Sequence, residues 1–189
     1  MLRLAISTMA ASLLMGAAAF ADAPVPDYVH TPLTQADVNF YLDIMRAAAQ
    51  HNSHLSGDDK AAAAYIVNLH AHPPKPQAPG QMPTPAQIAE ITRNVQYAQR
   101  AMVLVVYDME IAQERKVIAR YTAIKGAVER AYAVETVTAA NAGAIKIALA
   151  LQDKKQAEVL TADEALVGPH VAEIKTMKQQ ISGFLTGGK

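Results

Sequence analysis

Residues Pro85–Met109 read PAQIAEITRNVQYAQRAMVLVVYDM, and this stretch decides the fold class. Ile88, Ile91, Val95, Ala98, Met102, Val105 and Met109 recur at alternating three- and four-residue steps. That spacing places them on one stripe of an α-helix, whereas a half-buried strand would alternate every second residue. Thr84 followed by Pro85 is a helix start, because a threonine cap accepts an orphan N–H and proline suits the first turn. The stripe persists for about three heptads, so it predicts a long helix that buries one face. Within it, Ala101 to Tyr107 carries no charge on any side, which predicts a segment covered on most sides.

Towards the C-terminus no proline interrupts the chain before Pro169. Ile118, Tyr121, Ile124 and Val128 continue the periodicity. An unbroken helix from Pro85 to Lys125 would be roughly 60 Å long, against a radius of gyration of about 15 Å for a compact chain of this size. The helix therefore breaks, or the molecule is elongated. Gly126 and the Glu135–Gly143 stretch are the candidate breaks, and the second is favoured because β-branched residues, Asn141 and Gly143 weaken a helix there. A further helix is expected from about Ala144 to Val159. Thr161 with Glu164 reads as a capping box opening the last helix, which Gly168-Pro169 should kink before it ends near Phe184. Thr136 to Gln152 holds Lys146 as its one charge, but its Ala, Thr and Gly content makes it a core helix rather than a membrane span.

Towards the N-terminus, residues 72–85 contain six of the ten prolines, which forbids helix and central strand and predicts a polyproline-II-like linker. Before it lie two shorter helices. Thr34 with Asp37 caps the first, whose stripe is Val38, Tyr41, Leu42 and Met45 and whose end falls near Asn52. Ser56 caps the second, Asp58 and Asp59 suit its dipole, and Tyr65, Ile66 and Leu69 form its apolar side. Pro24, Pro26 and Pro32 make residues 22–33 an extended arm. Arg3, the uncharged run Leu4–Phe20 and the Ala19-Phe20-Ala21 site read as a secretory signal cleaved after Ala21. The organisation expected is thus a signal peptide at 1–21, an arm at 22–33, a helical pair at 34–71, a linker at 72–84 and a long-helix domain at 85–189. The fold class is all-α, an elongated helical hairpin or bundle.

The chemistry of the chain is sparse. Cysteine is absent, which removes thiol nucleophiles, thiolate metal sites and Cys-x-x-Cys-His haem attachment. After cleavage 16 basic and 17 acidic residues remain, so no basic excess favours nucleic acid. His51 and His54 end the first helix and His70 and His72 the second; histidine near a helix C-terminus complements the dipole, although imidazole also suits Zn or Cu. Glu110 and Glu114 share a helix face but have no Glu-x-x-His partner of the di-iron type. Ser53, Ser56 and Ser182 stand outside any Gly-x-Ser-x-Gly, and no phosphate-cradling glycine loop occurs. No catalytic, cofactor-binding or metal residue is assigned. A chain with more apolar helix than its own core can cover is expected to be covered by a partner, through the arm around Tyr28, the linker and the Ala101–Tyr107 face.

The run Asp27-Tyr28-Val29-His30-Thr31-Pro32-Leu33-Thr34-Gln35-Ala36-Asp37, together with export, size, composition and long helices, resembles the small periplasmic subunit of membrane-bound quinoprotein alcohol dehydrogenases of acetic acid bacteria. The resemblance implies a subunit without cofactor or small-molecule substrate. Pyrroloquinoline quinone and haem c then belong to larger partner subunits, and association with the inner membrane is peripheral, through those partners. No functional residues carry over. Two alternatives stay open: Leu33-Thr34-Gln35 is similar to the Leu-Thr-x-x-Gln motif of Spy-like periplasmic chaperones, although Asp37 stands where Gln would fall, and the histidine pairs allow a metal binder.

Overall fold

A computed structural model describes residues 24–72 and 82–186. The expected signal peptide, residues 73–81 of the expected linker and the Gly187–Lys189 end lie outside the described residues. Among the described residues every regular element is helical. The α-helices are α1 (Gln35–Ser53), α2 (Gly57–Ala71), α3 (Pro85–Val105), α4 (Tyr107–Glu114), α5 (Ile118–Glu135), α6 (Ala139–Gln152), α7 (Lys154–Val167) and α8 (Val171–Ser182). Short 3-10 turns occupy Gly168–His170 and Gly183–Thr186.

Local chemistry explains most of the starts. The Thr34 amide donates to Asp37 Oδ2 at 3.0 Å, and the Asp37 amide donates to Thr34 Oγ1 at 3.2 Å, so aspartate completes the box as glutamate would. Thr84 and Gln87 form the same reciprocal pair at the start of α3, with Pro85 in the first turn. Ser56 occupies the cap position of α2 but makes no capping bond, and Gly57 beside it takes the left-handed conformation (φ +51°) that glycine tolerates.

The breaks differ in part from those expected. Gly126 lies inside α5 and interrupts nothing. The chain does break at Thr136–Thr138, within the favoured stretch, but α6 starts at Ala139 behind a Thr138 cap rather than near Ala144. Thr161 caps nothing: it sits in mid-α7, its hydroxyl donating to the Ala157 carbonyl at 3.0 Å. The cap of α7 is Asp153, whose Oδ1 accepts the Gln156 amide at 3.0 Å. Asp153 and Gln156 hold the spacing of a capping box, a signal present in the sequence. An unexpected break separates α4 from α5, where Lys116 takes φ +58° and the Val117 amide reaches back to the Ala112 carbonyl. Gly168-Pro169 divides α7 from α8, as expected.

The chain forms two compact units, each built from separated stretches. The first comprises residues up to Ile44 and Ile111–Ala172. Its core gathers Val38, Tyr41 and Leu42 of α1, Tyr121, Ile124 and Val128 of α5, and Leu160 and Val167 of α7. The Tyr41 and Tyr121 rings stack at 6.0 Å, while Phe40 meets Tyr121 edge-on at 6.4 Å. The second unit comprises Met45–Glu110 and Glu173–Lys189. Here Met45 and Ala48, Ala62, Ala101 and Leu104, and Ile174, Met177 and Ile181 are buried. Asn52, itself buried, donates through one amide nitrogen to the Leu104 carbonyl at 2.8 Å and the Ile181 carbonyl at 2.9 Å, tying three segments together. The expected helical pair at 34–71 is present as α1 and α2, but α1 gives its first half to one unit and its second half to the other.

Candidate functional site

In the first unit the arm is fastened rather than free. Asp27–His30 make a turn, with the His30 amide donating to the Asp27 carbonyl at 3.1 Å. Tyr28 is buried and its carbonyl accepts Arg130 Nη2 at 2.9 Å. The Tyr28 hydroxyl has no hydrogen-bond partner of good geometry; burial, aided by the nearby Asp37 carboxylate, pushes it up to about 12. Leu33 is buried, and its amide donates to Asp163 Oδ1 of α7 at 2.7 Å. Asp163 is 1 % exposed, and burial foremost raises its carboxyl to about 6. Asp37 behaves oppositely. Burial would raise it, but hydrogen bonds from Thr34 and Arg120 outweigh that and hold it below the usual carboxylate range. His30 lies between two carboxylates, with Nε2 2.8 Å from Asp153 Oδ2 and Nδ1 3.0 Å from Asp27 Oδ2.

In the second unit an open groove of about 720 Å³ runs between α2 and α3, lined among others by His51, Asp59, Arg93, Tyr97, Arg100 and Tyr107. Arg100 Nε bridges it to Asp59 Oδ1 at 2.5 Å, and His51 stacks on Tyr107 with ring centres 3.8 Å apart. Its described lining contains no serine, threonine, cysteine or lysine; the hydroxyls it presents are the phenols of Tyr97 and Tyr107.

The residues singled out in the sequence do not converge on this groove. Of the histidines, serines and glutamates weighed there, His51 alone lines it. His54 Nδ1 instead faces the Ser53 hydroxyl and the Gln50 carbonyl, and His72 Nδ1 faces Asn68 Oδ1. Among the described residues no group of three or more histidine, aspartate or glutamate side chains could hold a metal ion. Ser53 and Ser182 donate back to helix carbonyls four or fewer residues away.

The apolar surface is the larger departure. On α3 four members of the predicted stripe are exposed, Ile88 at 52 %, Ile91 at 49 %, Val95 at 49 % and Met102 at 71 %, while Ala98 and Val105 are half-buried. The helix packs through a different face, with Ala101 and Leu104 buried, so the Ala101–Tyr107 segment is covered on one side only. The α6 helix, expected as core, buries none of its residues; Ile147 is 66 % and Leu151 83 % exposed. Its charge, Lys146, pairs with Glu164 of α7, leaving the outward side apolar. No helix among the described residues is long and apolar enough to cross a membrane. Tyr28 and Leu104, expected at a partner interface, are core residues. No protein-family model, curated protein or solved structure matches this chain.

Proposed function

We propose that the chain is an exported, non-catalytic accessory subunit that supports the assembly or stability of a membrane-bound dehydrogenase complex of the quinoprotein alcohol dehydrogenase kind. Its signal peptide is removed after Ala21, it works in the periplasm, and it reaches the inner membrane through its larger partners. The observation that carries the reading is the uncovered stripe of Ile88, Ile91, Val95 and Met102 on α3. Four large apolar side chains in heptad register, all about half exposed or more, are an interaction surface rather than scattered surface hydrophobics. Placing a carboxylate there removes a contact without disturbing a core, whereas Leu104→Asp would bury an unpaired charge and unfold its own unit.

The test is affinity purification of the tagged chain from detergent-solubilised membranes. A haem-bearing dehydrogenase should co-purify with the wild type and fall at least tenfold with Ile91→Asp/Met102→Asp, while the helical circular dichroism of the variant is unchanged. Recovery of the chain without any dehydrogenase, together with suppression of aggregation of unfolded clients, would favour the chaperone alternative, for which an exposed apolar stripe is also suited.

A further inference from the structure

We propose that the arm around residues 27–33 is a proton-operated latch, held against the first unit when His30 and Asp163 carry protons and loosened when they lose them. The geometry begins with His30. Its two ring nitrogens face Asp27 Oδ2 and Asp153 Oδ2 at 3.0 and 2.8 Å. Only imidazolium donates from both nitrogens; neutral imidazole turns a lone pair towards one of the two carboxylates. Asp153 cannot swing aside without cost, because its other oxygen caps α7. The contact joins residues 123 positions apart, so it fastens the arm and not a local turn.

The second fastening acts in the same direction. Leu33 donates its amide to Asp163, a buried carboxyl that also feels Asp37 as a like charge. The Leu33 amide and, after it, Arg130 favour its ionised form, and burial outweighs both; Arg130 also gives Nη2 to the Tyr28 carbonyl. Arg120 is engaged with Asp37, and Lys155 acts on Asp27. Protonated Asp163 accepts the Leu33 bond more weakly than the carboxylate does, but it no longer places a buried charge under the arm, and burial is the larger of the two effects.

The shifts agree with this geometry. Asp153 and then Asp27 raise His30 above its ordinary 6.5. The stabilisation from His30 is therefore full below 6.5 and is lost as pH rises through its raised value. Asp163 is raised from 3.8 to about 6, so its contribution is full below 3.8 and is lost as pH rises past about 6. Asp27 and Asp153 are lowered, and their contribution disappears only at pH below the ordinary carboxylate value of 3.8. Closure should then strengthen steadily from pH 8 down to about 4 and weaken below it.

Hydrogen exchange of the purified chain, corrected for the intrinsic pH dependence of exchange, reads the latch directly. The Leu33 amide, which donates to Asp163, should lose protection roughly tenfold or more between pH 5 and pH 8, while α5 stays protected. His30→Gln should abolish the part of this response above pH 6.5, and Asp163→Asn the part below it. Arm protection independent of pH in the wild type, or an unaltered pH response in both variants, would overturn the latch. If either variant loses α5 protection, histidine titration of the wild type decides. A His30 midpoint above 6.5 that coincides with arm opening supports the proposal, and a midpoint at or below 6.5 refutes it.

Discussion

Helices α3 and α5 carry nearly the same apolar rhythm and meet opposite fates. In α5, Tyr121, Ile124 and Val128 are wholly buried; in α3, Ile88, Ile91, Val95 and Met102 face outward. The difference lies in the neighbours. Around α5 the first unit supplies Tyr41 and Leu42 from α1 and Leu160 from α7, large side chains that reach across a helix face. Around α3 the second unit supplies α2, whose buried residues are Ala62 and Ala63, and α3 itself buries only Ala101 and Leu104. An alanine-rich neighbour packs closely but covers a narrow strip, so a second stripe on the same helix stays uncovered. A periodic pattern thus states that a helix needs cover, and not which chain provides it.

The comparison breaks most readily at the core of α5. Ile124→Ala should cost about 2–5 kcal/mol in chemical denaturation, while Ile91→Ala should stay within about 0.5 kcal/mol. Equal losses would mean that the α3 stripe is covered by the chain itself. A smaller effect is expected at the keystone of the second unit. Asn52→Ala leaves the Leu104 and Ile181 carbonyls without their shared donor and should cost about 1–3 kcal/mol, seen first as faster exchange in α8. The smallest effect sharpens the first unit: Asp153→Ala removes a helix cap and should cost about 1 kcal/mol at pH 7 in thermal melts. If Asp153→Ala cost no more at pH 5 than at pH 8, its ion pair with His30 would be contributing nothing.

Much of this was legible. The all-helical class, the capping box at Thr34/Asp37, the helix start at Thr84-Pro85 and the interruption at Gly168-Pro169 follow from interactions within four residues along the chain. Thr161/Glu164 shows the limit of that logic, since the same spacing occurs inside a helix and a hydroxyl there bonds back to its own turn. The break at Lys116 has no local signature. Arg115 and Lys116 are good helix formers, and left-handed Lys116 closes α4 as a Schellman cap, the Lys116 and Val117 amides reaching back to the Gln113 and Ala112 carbonyls while Val117 is buried. The arm was read as extended from its prolines, but what it touches was not readable, because Asp153 and Asp163 lie more than a hundred residues away.

By itself, then, the amino-acid sequence determined that this protein is helical, where many of its helices start, and that it carries apolar stripes with no thiol chemistry. Those outcomes rest on backbone propensity, caps and composition, which act locally. Tertiary structure alone decided which stripe is buried, that residues distant in the chain share one unit, and that His30 stands between two carboxylates. Each of these depends on long-range packing, where the area covered and the charges faced are set by whichever segment arrives from elsewhere in the chain.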